Sequence, residues 1–337
     1  MSTMKEKFLA LMRRDNPKWL GDPWSCFNET PSFRPVVMDA VTMFIGNAQP
    51  GQIGVKNAWG VTFDWPEGEP GSMPHVTEEN KVIKDITCWR DFVQFPELDD
   101  SKLDWAMIDQ MYPNLDRENK FVMCPSFTGM FEFSHYMMGF EDALMNYLLE
   151  PEAMYELLSA YTDWKIKAYD LVIDHMHPDM VHSHDDWGNK KSLFLPPTVW
   201  REILKPLYAR FYGHLHERGV LVQHHSDCVC HEIVEDMVDV GIDMWQGVIP
   251  QNDIRGIFER TEGKLCLMGG IDMQKIDFAD AKYEDVYAEV KRAIDEYMPL
   301  GPFIPNVTNV CPIHENVDMM LRKAQDEYGK IYADANF

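Results

Sequence analysis

The stretch "LVQHHSDCVCHEIVEDM", Leu221 to Met237, places His224, His225, Asp227, Cys228 and Cys230 within seven residues. Imidazole nitrogens, carboxylate oxygens and thiolates are the donors that zinc accepts. A catalytic zinc needs three of them and one open position. Side chains alternate along an extended chain, so His225 and Asp227 share one face while His224 points the other way and reads as structural. Cys228 and Cys230 fall at the first turn of the run that follows, where a helix N-terminus favours the thiolate. The plainer reading makes Asp227 a helix cap, the cysteines small buried hydrophobes and one histidine a core residue. Five donors together favour a metal site, with His225, Asp227 and Cys228 as candidate ligands. Cys-x-Cys is not the spacing of a structural zinc knuckle, so a distant loop must complete the set, and Cys311 or Cys266 is the candidate.

A second cluster is "HSHDDWGNK", with adjacent carboxylates at Asp185 and Asp186. Such a pair can hold a proton, a metal or a substrate group. If one is buried beside the other, its pKa rises and it becomes an acid near neutral pH. Both are candidate catalytic residues. Asp186 can equally tie down its own loop by accepting from the backbone amides of "WGNK". Asp272 in "GGIDM" is either functional or a turn residue. Trp187, Trp245, Tyr136 and Phe133 are candidates to line an apolar substrate pocket, although any single aromatic is more often core.

These residues need elements to hold them. Short apolar runs read as buried strands at 121–127, 180–186, 220–226, 244–248, 265–270 and 303–308. Helical patterns separate most of them. "PEAMYELLSAYTDWKIKAYDLVIDHM" has Pro151 at a first-turn position, and "PPTVWREILKPLYARFYGHLHERG" stops on Gly219. Alternating strands and helices imply a parallel sheet covered by helices. Six or more units without a Gly-rich dinucleotide loop predict a single (β/α)8 barrel of TIM type spanning 1–337. Residues 1–115, rich in Pro, Gly and Trp, would form an irregular N-terminal cap over the barrel mouth and the first barrel elements. In such a barrel chemistry sits where strands end, which is where the clusters above fall.

Composition narrows the partners. The 337 residues carry a formal net charge of -24, which disfavours nucleic acid and anionic membranes. No run is long enough to span a bilayer, and the N-terminus lacks the apolar segment of a signal peptide. Seven scattered cysteines suit a reducing cytoplasm.

Five segments in order then resemble one known superfamily. "NAWGVTFDWPEGEPGSMP" resembles its early loop and "TGMFEFSHYMMGFEDALMNYLLEPEAM" its central helix pair. "DDWGNKKSLFLPPTVWREILKPLY" is similar to its Asp-Asp-Trp-Gly segment. "HHSDCVCHEIVEDMVDVGIDMWQGV" resembles its His-Ser-Cys-Gly strand end, and "CPIHENVDMMLRKA" its C-terminal helix. The superfamily is that of uroporphyrinogen decarboxylase, and within it the branch of cobalamin-dependent methyltransferases. The resemblance implies a barrel, a zinc site built from a His-x-Cys pair and a later Cys, and a corrinoid cofactor carried on a separate corrinoid protein. His225 stands at the family's His. Asp227 stands where the first Cys is expected, with Cys228 one residue on, while Thr308 or Asn309 lies near the late position and Cys311 is shifted from it.

A mixed His/Asp/Cys set makes a harder Lewis acid than His/Cys/Cys, suited to an ether or alcohol oxygen. The resemblance therefore implies methyl transfer between a corrinoid and a small methyl ether, alcohol or thiol, aromatic ones included. The alternative is a metal-free decarboxylase of the tetrapyrrole type. Its porphyrinogen carboxylates call for an Arg-rich N-terminal segment, whereas "MRRDNPKWLGDPWSC" offers only Arg13 and Arg14. A third reading is a binder that keeps the fold without chemistry.

Overall fold

The computed structural model describes residues 2–13, 15, 22–28, 35–69, 71–307 and 314–336. The chain begins with α1 (Met4–Arg13) and α2 (Ala40–Ile45). A small antiparallel sheet follows, of β1 (Val55–Lys56), β2 (Thr62–Asp64) and β3 (Met73–Pro74). After α3 (Trp105–Met111) the main sheet starts. Its strands are β4 (Met123–Ser126), β5 (Met180–His184), β6 (Leu221–His225), β7 (Met244–Val248), β8 (Cys266–Ile271) and β9 (Phe303–Val307). Every strand of this sheet falls on a run that the sequence marks as apolar, and β8 extends one residue beyond its run, to Ile271.

All five ladders of the main sheet are parallel, and the spatial order is β4-β5-β6-β7-β8-β9. Strands laid down in chain order without reversal are the barrel arrangement; a doubly wound sheet has a switch point. Burial on both faces explains why the strands read as apolar runs. Beyond β4 the sheet continues, among the described residues, as a bridge between Phe27 and Phe121 and a bond from the Val37 N–H to the Met123 carbonyl, 2.8 Å. Ladder bonding among the described residues therefore covers six of the eight strands expected, and its closure is not seen there.

The helices cover the sheet. They are α4 (Met130–Met138), α5 (Phe140–Leu149), α6 (Pro151–Met176), α7 (Pro197–Val199) and α8 (Lys205–Glu217). Beyond these come α9 (Val234–Asp239), α10 (Ile254–Thr261), α11 (Met273–Ile276), α12 (Tyr283–Tyr297) and α13 (Glu315–Asn336). Pro151 opens α6 at its first position, where its missing N–H costs nothing. Between α7 and α8 the helix widens into a π turn at Trp200–Leu204, just before Pro206, which cannot donate the next helical bond. Gly219 ends this run at φ 79°, a conformation open to glycine. The N-terminal region packs through Trp59, which meets Phe133, Tyr161 and Trp164 edge-on at 5.0, 5.5 and 4.8 Å.

Candidate metal centre

Parallel register sets the site. His184 on β5 lies beside His225 on β6, which lies beside Gln246 on β7. One layer below, His182, Gln223 and Met244 form a second row. The imidazoles of His184 and His225 stack with centroids 4.7 Å apart. Asp186 follows β5 by two residues, on the same side of an extended chain as His184. One ligand atom each from His184, Asp186 and His225 lies within 4.8 Å of the others, the group among the described residues able to hold a metal ion.

The surroundings decide which atoms are offered. His225 Nδ1 is 2.5 Å from Gln246 Oε1, so Nδ1 carries the proton and Nε2 keeps its lone pair. His184 Nδ1 is 3.1 Å from Glu132 Oε2, so its Nε2 is likewise left for the cluster. A histidine ligand oriented by a carboxylate or amide on its other nitrogen is the usual support of a bound metal. Two imidazoles and a carboxylate are also a donor set of catalytic zinc, which leaves a fourth position open. The chain's own residues fit the ion that the sequence led us to expect.

Electrostatics follow the same geometry. Burial pulls the His184 imidazole down, but the charge and hydrogen bond of Glu132, with Asp186 and Asp185, carry it up to about 10. Burial and the charge of His184 push His225 down. Burial works against the charge of Asp186. The two imidazoles and the Asp227 N–H, 3.0 Å from its Oδ1, hold it below the usual carboxylate range. Without a cation, a proton on His184 balances the carboxylates.

Asp185 has a different task. It accepts from the N–H groups of Phe131 and Glu132 at 3.0 and 2.8 Å, from Trp187 Nε1 at 2.8 Å, and from the Tyr208 hydroxyl. It thus caps α4, whose own cap position, Gly129, has no side chain to do so. A Cβ on Gly129 would lie 2.1 Å from the Asp185 side chain, so that position requires glycine. Burial and the nearby Glu132 raise Asp185 to about 7. The raised acid that the sequence suggested is present, but its oxygens are taken by backbone donors, the Trp187 indole and the Tyr208 phenol.

Several expected site residues sit elsewhere. The Asp227 side chain pairs with Lys190 at 3.1 Å and does not join the cluster; only its backbone does, through Asp186. Cys228 is buried against Ser226 Oγ at 2.9 Å and Cys230 Sγ at 3.1 Å. Burial pushes the Cys230 thiol up, opposite to the lowering expected of a helix start. That start is instead a 3-10 turn, His231–Ile233. Cys266 is buried within β8, and Cys311, Thr308 and Asn309 lie outside the described residues.

The aromatic candidates divide. Trp187 is sealed between His224, stacked at 4.0 Å, and Trp200 at 5.0 Å. Trp245 is buried and donates to the Ser226 carbonyl at 2.8 Å. Phe133 stacks on Tyr161 at 3.7 Å. These three are packing residues. Tyr136 sits one turn after Glu132 on α4, where burial and the carboxylates of Glu132, Asp185 and Asp186 keep its phenol protonated. His224 faces the helices and meets the Tyr212 hydroxyl at 2.8 Å. Asp272 caps α11.

His184 and Glu132 are the residues that sequence reasoning missed. His184 had a signal, since His182, His184 and Asp186 alternate at the strand period. Glu132 had none, because its role depends on which helix comes to lie beside β5.

A parallel sheet in chain order, with its polar groups gathered at the strand ends, is the architecture of a barrel domain with a site at its mouth. The chain belongs to the uroporphyrinogen decarboxylase (URO-D) family, whose model matches residues 38–321 and whose domain is a TIM barrel. Among solved structures it is similar to a methyltransferase from Methanosarcina mazei, at 15% identity and a TM-score of 0.62, over 98% of this chain and 100% of that one. At that identity the likeness speaks for the fold. A dihydropteroate synthase from Burkholderia cenocepacia, complexed with 7,8-dihydropteroate, also aligns, at 10% identity over 66% of this chain and 94% of that one. Its TM-score of 0.25 carries no argument. No curated protein matches the chain. No helix among the described residues is long and apolar enough to cross a membrane.

Proposed function

We propose that the protein is a zinc-dependent methyltransferase that moves a methyl group between a small oxygen-containing methyl compound and a corrinoid carried on a separate protein. The observation that carries this reading is the His184/Asp186/His225 cluster, with both Nδ1 atoms engaged by Glu132 and Gln246. The family supplies the barrel, and the name of the Methanosarcina mazei structure agrees with the reaction class.

Zinc bound there would supply Lewis acidity to the substrate heteroatom, and the corrinoid would accept or donate the methyl group. His184 and His225 present Nε2 atoms, and Asp186 adds one carboxylate. This oxygen-containing set favours an ether or alcohol oxygen over a thiol. Removing a methyl cation equivalent leaves negative charge on that oxygen. Tyr136 on α4, kept protonated, is the phenol assigned to meet it. Glu132 fixes the tautomer of His184 and keeps it a strong donor. Phe127, 39% exposed, has its ring 6.3 Å from that of His184 and steeply inclined to it, an apolar wall beside the cluster.

The metal-free decarboxylase needs arginines converging on the mouth. Arg201, Arg210, Arg218, Arg260 and Arg292 instead pair with carboxylates of the helical shell. The test is zinc content together with methylation of free cob(I)alamin by methoxybenzene or a methoxyphenol, followed by absorbance. About one zinc per chain is expected. It should be lost in His184→Ala and in His225→Ala along with methyl transfer. A protein that transfers the methyl group without zinc, or keeps zinc in both variants, would overturn the reading.

A further inference from the structure

His182 lies in the row beneath the metal cluster and is 1% exposed. Its Nδ1 is 2.7 Å from Gln223 Oε1, and the Gln223 amide nitrogen is 3.3 Å from the Met244 sulfur. That orientation of the amide is the favourable one, because its N–H faces a weak acceptor and its oxygen faces the imidazole. The proton of His182 is therefore on Nδ1, and Nε2 is a bare lone pair. This atom is buried and has no hydrogen-bond partner. A buried polar atom left unmet is a standing penalty that folding normally removes.

The lone pair faces the interior of the sheet. Strand alternation puts His182 on the same face as His184, and its ring lies 5.7 Å from that of His225. Nδ1 is turned along the sheet toward β6, which leaves Nε2, at the far tip of the ring, aimed away from the backbone. The ring of Phe127 stands edge-on to both His182 and His184, at 6.3 Å from each, and joins the two rows.

We propose that His182 Nε2 is a specificity-determining acceptor for a second polar group of the substrate. The site would then select methyl compounds that carry a hydroxyl or N–H donor a few bonds from the methylated oxygen. The two rows are about 7 Å apart along the strand, close to the span of a small ring bearing two polar substituents. A plain methyl ether fills the same space but leaves Nε2 unmet, the situation in which a binding site rejects an analogue most strongly. This inference deepens the methyltransferase reading and rests on it for the placement of the methylated oxygen.

The test is calorimetric titration of zinc-loaded wild type, His182→Phe and His182→Gln with methoxybenzene and the three isomeric methoxyphenols. Zinc content is measured on the same samples. In wild type, one methoxyphenol should bind at least about tenfold tighter than methoxybenzene. His182→Phe should bring that ratio close to one without weakening methoxybenzene, and His182→Gln, which keeps an acceptor, should restore part of it. The wild-type comparison stands even if a variant does not fold. Equal binding of all probes by wild type, binding of none, or a preference that survives His182→Phe would overturn the proposal. A preference that depends on His182 in a protein holding no zinc would refute the metal reading while leaving the subsite in place.

Discussion

Replacing Glu132 by Gln separates two things that its carboxylate does. Gln can still accept from His184 Nδ1, so orientation is kept while the charge is lost. In wild type that charge, with Asp186 and Asp185, raises His184 to about 10. A proton on Nε2 then competes with zinc at every pH below that value. At pH 7 the competition spans about three units, or about 4 kcal/mol at most. The His184 side chain is 30% exposed, so solvent screening trims this to about 2–4 kcal/mol. In Glu132→Gln the imidazole falls back toward its ordinary value near 6.5 and the competition nearly vanishes above pH 7.

The two proteins should therefore have zinc profiles of different slope. Between pH 7 and pH 9 the wild-type affinity should rise about ten- to a hundredfold, and that of Glu132→Gln by less than about twofold. Loss of the supporting carboxylate should separately lower the affinity of the variant by about ten- to a hundredfold where proton competition is absent. His225 and Asp186 add no slope, because their shifts leave both unprotonated across this range. The assay is competition with a chelator of known pH dependence, with proton release counted by calorimetry in buffers of different ionisation enthalpy. Equal slopes in the two proteins would refute the role given to Glu132. A flat wild-type profile would refute the electrostatic picture of the cluster.

Two further outcomes concern stability. Gly129→Ala drives a Cβ to 2.1 Å from the Asp185 side chain and displaces the cap of α4, so chemical denaturation should show a loss of about 3 kcal/mol or more; a loss under about 1 kcal/mol would count against the close approach. Lys165 is buried and lowered to about 7 by desolvation, with Nζ on the Thr128 carbonyl at 2.9 Å. Its folded pKa lies below the unfolded value, so the protein loses stability as pH falls from about 10.5 to 7 and no more below that. Lys165→Met should raise stability at pH 7 by about 1–3 kcal/mol, since Tyr161 still donates to Thr128 at 2.9 Å, with the gain fading above about pH 10. Thermal melts at both pH values would show it, and a variant less stable than wild type at pH 7 would contradict the sign.

The sequence by itself determined the architecture. Apolar runs buried on both faces, separated by helical patterns with Pro151 at one start and Gly219 at one stop, already specify parallel strands joined by helices, because both signals are local. His225 was legible for the same reason, as a donor at the end of a strand. Its partners were not. Asp227 and Cys228 are its neighbours in the chain, yet the turn after β6 sends one to Lys190 and the other into a pocket with Ser226 and Cys230. His184 and Asp186 become its partners only through the register of β5 against β6, and Glu132 and Gln246 only through the packing of α4 and β7. Asp185 and Asp186 adjoin in sequence but part company in space, one beneath a helix and the other at the mouth. Spacing along a strand fixes which face a side chain takes; what it meets there is decided by which strand or helix lies alongside, and that is a property of the tertiary structure.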